Sequence, residues 1–358
     1  KGLGSCPERD TMNRFLSCII AIVGGYCGWV GSVGAEEPLS EPGASAVTTD
    51  ERPAAVSTAP ETSVAQAVST PEQPAADNSA SPSAPAAYAL PFYLRGVVPG
   101  TVARLESTYA MYKLPAPVDE SGNTLTSVLT ASYKVAPWLA PIARLGLVHN
   151  SLDGSSGTAI SNLGVGGLLG TPVSTDFKAG FIVLVTLPTG TGAGNDPNAE
   201  NASAVASASP ARYAWDGAIF ANNDSVLIGG ADLAYVAGGL TVQAEATYLQ
   251  FIRIRGDNVQ KDELRSLLTT GLFAGYFLIP ELSVGAELRY GHWLSTPAAV
   301  EKNSVARNNL SAGGGVRGYF KLGDSISLRP GLSYHQALDE PLSDAEYKYV
   351  QLDLPFVF

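Results

Sequence analysis

The feature that most constrains this fold is an alternation of apolar and polar residues that recurs through residues 88–358. In segment 240–248, apolar residues fill the even positions, whereas threonine, glutamine and glutamate fill the odd ones. Segments 177–187 and 282–290 show a similar pattern. Because successive side chains of a β-strand point to opposite faces, each segment is predicted to be a strand with one apolar and one polar face.

The connections between these strands are alternately long and short. The pattern predicts twelve strands, close to residues 100–112, 124–135, 139–148, 159–171, 177–187, 226–236, 240–255, 267–278, 282–294, 309–320, 326–336 and 347–358. Long connections follow His149 and cover 188–225, whereas 237–239 is tight. Bacterial outer-membrane barrels have short periplasmic turns and long external loops. The predicted fold class is therefore all-β, a 12-stranded antiparallel transmembrane β-barrel preceded by a disordered N-terminal arm.

The composition agrees with a surface that faces lipid. Only 15% of the residues are charged, whereas a soluble domain carries about 25%. A soluble sandwich would bury the same apolar faces, but it gives no reason for the alternation of loop lengths. Tyrosines on the apolar faces predict the aromatic girdles of a membrane barrel. They are Tyr109, Tyr133, Tyr248, Tyr276, Tyr290 and Tyr334.

Residues 1–35 have the features of an export signal. Residues 1–11 precede the first methionine and are interpreted as an upstream extension. Residues 12–35 combine a basic start, an apolar run and small residues up to Ala35, which predicts a signal peptide. A single membrane-spanning helix is the alternative. The three cysteines of the sequence all lie in this region, so the exported chain is expected to contain no disulfide.

Residues 36–87 form a spacer rich in alanine, proline, serine and threonine. The spacer holds eight acidic residues and one basic residue, and so carries most of the net charge of -11. Such a composition buries too little apolar surface to fold, so we expect a disordered segment. An even number of strands places it in the periplasm, either as a tether or as an arm that contacts the cell wall. The barrel domain is assigned to residues 88–358.

The final strand alternates apolar residues from Val350 up to a C-terminal phenylalanine. This pattern resembles the C-terminal signal by which the barrel-assembly machinery recognises outer-membrane barrels. It assigns Phe356 and Phe358 to that signal. The chain is therefore expected in the cell outer membrane, in contact with outer-membrane lipid and with the barrel-assembly machinery.

Charged residues on the polar faces are the candidate pore-lining residues. They are Arg104, Glu106, Lys134, Arg144, Lys178, Asp232, Glu245, Arg253, Arg255, Glu287, Arg289, Arg317, Arg329 and Asp353. Basic residues outnumber acidic ones in this set. Two interpretations remain open: the charges pair across neighbouring strands, or a basic lumen prefers anionic solutes. Twelve strands predict a narrow pore, and either loop 188–225 or segment 88–98 could fill part of it.

The sequence predicts no cofactor, no metal site and no nucleic-acid partner. Residues 313–318 fit a dinucleotide-binding pattern formally, but they lie inside a predicted strand, where glycines relieve crowding. His149, His292 and His335 lie on separate strands and form no metal-ligand cluster. A net charge of -11 argues against binding to nucleic acid.

Two resemblances bear on function. The run His149–Asn150–Ser151 is similar to the His-x-Ser pair of the outer-membrane phospholipase family, which implies lipid hydrolysis at the outer face. The family's Ser-Asn-Gly continuation is absent, and a histidine at a loop edge is the other interpretation. Segments 162–167 and 181–190, which ends in Leu-Pro-Thr-Gly, resemble the outer-membrane transporter family associated with meta-pathway phenol degradation. That family has Gly-Asp where this chain has Ser161–Asn162.

The transporter resemblance implies passive uptake of small, often hydrophobic or aromatic molecules, and it identifies no substrate-binding residues. The first predicted function is therefore an outer-membrane channel for small solutes that are hydrophobic, aromatic or anionic. The alternative is a structural or anchoring barrel with an occluded lumen. A lipid hydrolase is third, and the protein is predicted not to be an enzyme.

Overall fold

The computed structural model describes residues 88–358 except Pro117, 195–197, 213–214 and 257–261. The predicted signal peptide and spacer lie outside the described residues. The described chain forms the strands β1 (Val102–Lys113), β2 (Ser121–Ser132), β3 (Leu139–Leu152), β4 (Ser155–Ile160), β5 (Leu163–Pro172), β6 (Phe177–Leu187), β7 (Asp224–Ala237), β8 (Leu240–Arg253), β9 (Leu264–Ile279), β10 (Leu282–Trp293), β11 (Asn308–Gly318), β12 (Phe320–Lys321), β13 (Ser327–Leu328), β14 (Gly331–Ala337) and β15 (Lys348–Val357).

These strands form one antiparallel sheet, in which β1 pairs with both β2 and β15. The sheet therefore closes into a barrel. Strands β4 and β5 both pair with β3 and share one position in the wall. Similarly, β13 and β14 both pair with β15, while the short β12 follows β11 and pairs with β13. The wall thus has twelve strand positions, which confirms the predicted 12-stranded antiparallel β-barrel.

The polar faces of the strands point into the barrel and the apolar faces point outward. In β8, Gln243 and Glu245 are buried, whereas Val242 and Tyr248 are 42% and 43% exposed. This arrangement is the reverse of a soluble protein and is typical of a transmembrane barrel, whose outside contacts lipid. All six tyrosines predicted for the aromatic girdles are exposed on the outside.

The two ends of the barrel differ in their connections. Val102 of β1 lies opposite Val357 of β15, so the wall begins and ends on the same side. Short turns lie at this end, and between β7 and β8 the chain reverses at Gly238 and Gly239, whose φ angles are 56° and 84°. Residues with a side chain rarely adopt such angles. The longer loops lie at the opposite end.

The predicted long connection after His149 is wrong. Strand β3 continues to Leu152, and β4 begins at Ser155. Asp153 and Gly154 join them with φ angles of 41° and 80°. Two consecutive positive φ angles are typical of a two-residue hairpin, which matches the twist of the flanking strands. The strands therefore extend beyond the predicted boundary as a hairpin.

The loops at the far end contain short helices. Between β6 and β7 lie α1 (Ala199–Ala211) and a 3₁₀ helix (Trp215–Phe220), and between β10 and β11 lie α2 (Ala298–Lys302) and a 3₁₀ helix (Ser304–Arg307). The side chain of Asn198 caps α1 by accepting the backbone N–H of Asn201. Among the helices described, none is long and apolar enough to span a membrane.

The interior of the barrel is filled by two segments of the chain. Residues 88–98, here called the N-terminal plug, lie inside the lumen before β1 begins. The described residues of segment 188–223, here called the lumenal loop, fold back into the lumen between β6 and β7. Inward-facing apolar side chains pack beneath the lumenal loop, among them Ile182, Leu184, Val226, Ile228, Leu249, Phe251, Leu267 and Trp293. The inner wall is therefore not polar throughout, because the loop covers these positions.

Candidate functional site

Charged side chains of the wall hold the N-terminal plug by its backbone. Glu287 of β10 accepts the backbone N–H groups of Phe92 and Tyr93 at 2.5 and 3.1 Å. Arg317 of β11 donates to the backbone oxygen of Leu90 at 3.1 Å. The plug lies outside the sheet and lacks ladder partners, so wall side chains must satisfy its buried backbone groups.

Three more wall side chains bind the plug in the same way. Arg104 and Gln351 both donate to the backbone oxygen of Phe92, at 2.7 and 3.2 Å. Gln243 donates to the backbone oxygen of Arg95 at 2.7 Å. Strands from opposite sides of the wall therefore converge on one short segment.

Arg95 is the plug's own charged anchor. Its guanidinium lies 3.1 Å from the carboxylate of Asp232 and 3.4 Å from that of Glu245, and all three side chains are buried. It also donates to Thr247 and lies 5.1 Å from the ring of Trp215 in the lumenal loop. The two segments that fill the lumen therefore meet at Arg95.

A second buried cluster fixes the lumenal loop. Arg212 lies 2.8 Å from Glu106 of β1 and 2.7 Å from Asp216, and Arg144 of β3 contacts the same two carboxylates at 2.9 and 2.7 Å. Burial lowers the pKa of Arg212, but Asp216 and Glu106 raise it by more, so the net pKa is raised and the guanidinium stays charged. Paired charges of this kind persist in a dry interior only when both signs are present.

Apolar packing also holds the lumenal loop. Phe220, Ile219 and Val205 are buried against Val128 and Val148 of the wall. Gly146 of β3 lies beneath the ring of Phe220, where an added β-carbon would lie 2.6 Å from the ring. Glycine at this position lets the aromatic ring approach the backbone of the wall.

Charges on the wall pair between strands near the termini. Asp353 of β15 lies 2.7 Å from Arg104 of β1 and 2.5 Å from Arg317 of β11. At the opposite end, Arg253 of β8 lies 2.9 Å from Asp224 of β7. These contacts favour the interpretation in which the predicted pore-lining charges pair with one another.

The remaining predicted pore-lining residues occupy different places. Lys134 is exposed in the turn between β2 and β3, outside the lumen. Lys178 points inward and is half-buried at the start of β6. Arg255 lies beyond the end of β8 and donates to backbone oxygens of the lumenal loop. Arg289 is buried with its guanidinium 4.0 Å from the ring of Tyr93, and Arg329 is half-buried.

The two phenylalanines of the predicted assembly signal lie at the end of β15. Phe356 pairs in register with Ala103 of β1 and with Leu328 of β13. Phe358 follows the strand and is 57% exposed. Their role in assembly remains a prediction.

A cavity of about 220 Å³ lies beside the plug, in the half of the lumen near the termini. Ile142, Leu168 and Ile182 from β3, β5 and β6 form an apolar side of it. Trp215 of the lumenal loop and Arg329 also line it.

Asn162 has a structural role that sequence reasoning did not assign. It lies between β4 and β5, where its amide group donates to the backbone oxygens of Ala221 and Asp224 at 3.0 and 2.9 Å. Its side-chain oxygen accepts the backbone N–H of Gly190 at 3.1 Å, and Thr189 accepts that of Leu163. Both ends of the lumenal loop are thus fastened here. The sequence signal for this site was the pair of segments 162–167 and 181–190, which carry the transporter resemblance. The structure brings these two segments together.

The histidine and serine considered for lipid hydrolysis are not joined. His149 and Ser151 lie two residues apart on the outer face of β3, and the imidazole Nδ1 of His149 is 2.9 Å from the hydroxyl of Thr158. No contact between the two side chains is seen, and no carboxylate partners His149 in the portion of the chain described. The described residues also include no cluster of histidine and acidic side chains that could hold a metal ion.

Comparisons with known proteins give only similarities of structure. No known family and no curated protein matches the sequence. An outer-membrane channel from Pseudomonas putida F1 aligns over 74% of this chain and 97% of that chain, with 14% identity and a TM-score of 0.48. The NanC porin aligns over 72% of this chain and 100% of that chain, with 6% identity and a TM-score of 0.43. The KdgM porin aligns over 71% and 99%, with 9% identity and a TM-score of 0.36.

Proposed function

We propose that this protein is an outer-membrane channel for the passive uptake of small solutes, and that the N-terminal plug is its gate. One observation carries the proposal: the wall behind the plug is largely polar, and five of its side chains bind the backbone of the plug, in addition to the ion pairs of Arg95 and the packing of Phe92, Tyr93 and Leu94 against Phe273. The same wall groups can bind water when the plug leaves, so a net loss of about 0.5–1.5 kcal/mol is expected for each hydrogen bond of a neutral wall side chain and about 1.5–3 kcal/mol for each one of a charged side chain. Such a wall suits a lumen that is sometimes hydrated.

A polar strip of the inner wall supplies a route past the lumenal loop. Ser333, His335, Tyr349 and Gln351 of β14 and β15 face inward with polar atoms that have no hydrogen-bond partner in the described part of the chain. With Ser311 of β11, they span about 13 Å along the strands. Buried polar atoms of this kind normally bind water. We take this strip as the path of the solute.

The strip is closed at two levels in this conformation. Tyr93 of the plug lies against it, with its ring centroid 4.7 Å from that of His335. Toward the far end, the rings of Tyr112 and Tyr347 stack at 4.9 Å. Tyr347 belongs to the loop between β14 and β15, which is bonded to the end of β1 through the backbone of Lys113 and Ala345. We therefore assign the plug as the main gate and the tyrosine pair as a second closure.

The proposed orientation follows from the ends of the barrel. Short turns face the periplasm in bacterial outer-membrane barrels, and the plug enters from the end that carries them. Residues 36–87 would then lie in the periplasm, where a contact with the cell wall would also act on the plug. Phe356 and Phe358 would serve the barrel-assembly machinery.

Conductance of Arg95→Ala in planar bilayers tests the gate. This change leaves Asp232 and Glu245 buried without their partner, which costs roughly 3–5 kcal/mol in comparable sites, so the plug should leave the lumen and channel openings should become frequent. Arg265→Ala is the matched control, because Arg265 is buried and paired with Asp224 but touches no plug residue. Openings that are equally rare in both variants would remove the proposal.

A structural or anchoring barrel is the second candidate. The observation in its favour is the apolar packing of the lumenal loop, which fills the far half of the lumen between β2 and β10. A barrel of this kind would conduct no ions in either variant and would admit no solute into liposomes. The binding sites of such an anchoring barrel would then lie in the loops or in residues 36–87.

A further inference from the structure

We infer that the cavity beside the plug binds a small organic anion that has one carboxylate and a compact apolar body. This inference names the substrate class of the proposed channel. Only the role of the bound anion as a transported solute rests on the proposed function. The binding itself requires no conduction.

Three residues that line the cavity each carry a buried hydrogen-bond donor without a partner in the described part of the chain. Thr130 Oγ1, Arg144 Nε and Trp215 Nε1 are buried and have no hydrogen-bond partner within the described residues. Thr130 and Arg144 are direct neighbours on β2 and β3, and the guanidinium of Arg144 lies 4.5 Å from the ring of Trp215. Three buried donors at one place favour an acceptor-rich group such as a carboxylate, because leaving them unpaired is costly.

The charge balance of the cavity leaves one positive charge over. Arg95 lies within salt-bridge distance of Asp232 and Glu245, whereas Arg104 and Arg144 each lie within salt-bridge distance of two carboxylates that other arginines share. Arg329 lines the same cavity, yet none of the described carboxylates lies within salt-bridge distance of it, and its guanidinium lies 5.9 Å from the ring of Tyr319. An anion in the cavity would supply the missing negative charge.

Arg329 also lies at the same level of the barrel wall as the unpaired donors. Its backbone N–H donates to the oxygen of Pro355, which lies opposite Arg104 in the register of β15 and β1. Arg104 in turn lies opposite Thr130. Arg329 and the two donors on strands, Thr130 and Arg144, therefore lie in one row that crosses the neighbouring strands β15, β1, β2 and β3.

The rest of the cavity sets the size and polarity of the ligand. Ile142, Leu168 and Ile182 present an apolar surface, and the volume is about 220 Å³. An apolar cavity of about 150 Å³ accommodates benzene, so a ring of six carbons with a carboxylate fits. A long acyl chain or an oligosaccharide does not.

Isothermal titration of the refolded full chain in a non-ionic detergent tests the inference. The probes are cyclohexanecarboxylate, cyclohexylmethanol and cyclohexylmethylamine, which share the ring and differ in charge. We expect the carboxylate to bind at least about tenfold more tightly than the alcohol, as charge-assisted hydrogen bonds predict, and the amine to bind least. Equal binding of carboxylate and alcohol, or no binding of the carboxylate, would overturn the inference.

Two matched pairs of variants locate the site. Thr130→Val should weaken carboxylate binding about tenfold, whereas Thr126→Val should not, since Thr126 is a buried, inward threonine of the same strand that does not line the cavity. Arg329→Gln should remove the preference for the anion, and Lys321→Gln, at an exposed lysine of β12, should keep it. Equal effects within either pair would overturn the assignment.

A third change fills the cavity without removing a polar group. Leu168→Trp should abolish binding of the carboxylate and the alcohol while the barrel still folds, as shown by its heat-modifiable mobility on gels. Unchanged affinity in this variant would place the ligand elsewhere. Tight carboxylate binding by a barrel that never conducts would leave this inference intact and would remove the channel proposal instead.

Discussion

Two segments fill the lumen of this barrel, and the wall holds them by different means. The N-terminal plug is bound through its backbone by Glu287, Arg317 and Arg104 and through the ion pairs of Arg95, and it also packs Phe92, Tyr93 and Leu94 against Phe273. The lumenal loop is bound by two ion-paired arginines and by apolar packing around Phe220 and Trp215. Hydrogen bonds to the backbone of the plug can be exchanged for bonds to water, at a net cost of about 0.5–1.5 kcal/mol for a neutral wall group and about 1.5–3 kcal/mol for a charged one, whereas the apolar contacts of the lumenal loop have no such replacement in water. Under the proposed function, the plug is therefore the segment that leaves the lumen.

The largest effect is expected in the lumenal loop. Phe220→Ala removes a fully buried ring and should lower the free energy of unfolding by about 3–5 kcal/mol, measured by urea unfolding in lipid vesicles. Channel openings should remain as rare as in the unchanged protein, because the plug is still bound.

Phe181→Ala is the control for this change. Phe181 lies on the outer face of β6 and is 52% exposed toward the lipid, so its loss should cost clearly less. A loss of stability that is no greater for Phe220→Ala than for Phe181→Ala would show that the loop is not a packed core. Frequent openings in Phe220→Ala would show that the lumenal loop, and not the plug, keeps the channel closed.

An intermediate effect is expected at Glu287, where the wall binds the plug. In Glu287→Gln, one amide oxygen replaces a carboxylate that accepts two backbone N–H groups. The charge assistance is lost, which weakens docking by about 1.4 kcal/mol and should raise the open probability about tenfold. Single-channel recording measures this change. Glu281→Gln, in the exposed turn between β9 and β10, should leave the open probability unaltered.

The smallest effect is expected on the outer face. Ser151→Ala should change the free energy of unfolding by less than about 0.5 kcal/mol, because the hydroxyl lies outside the lumen and is not joined to His149. Purified barrel incubated with phospholipid should release no fatty acid before or after the change. Lipid hydrolysis that disappears in Ser151→Ala would contradict this account and restore the enzyme hypothesis.

The wall could be predicted from the sequence because its determinants are local. A period of two residues marks each strand, and the predicted boundaries differ from the observed ones by only a few residues along most of the chain. The hairpin at Asp153–Gly154 was missed because the polar segment after His149 resembles a loop, although its backbone continues the ladder. The alternating length of the connections was sufficient to predict a closed barrel.

The filling of the lumen could not be predicted in the same way, since it depends on contacts between residues far apart in the sequence. Arg95 lies before the first strand and outside any alternating segment, yet it pairs with Asp232 and Glu245. A partial signal was present in β8, where Leu249 and Phe251 are apolar on the inward face. Apolar residues on both faces of a barrel strand indicate that something other than water covers the inside.

A reversible disulfide between plug and wall tests the central claim most directly. A β-carbon added to Gly271 of β9 would lie 2.9 to 3.1 Å from the side chain of Leu94, so Leu94→Cys with Gly271→Cys should form a bond, and residues 28–358 contain no other cysteine. The account predicts no channel openings in the oxidised double variant and a return of openings after reduction. Equal conductance in the oxidised and reduced states would contradict the plug as the gate.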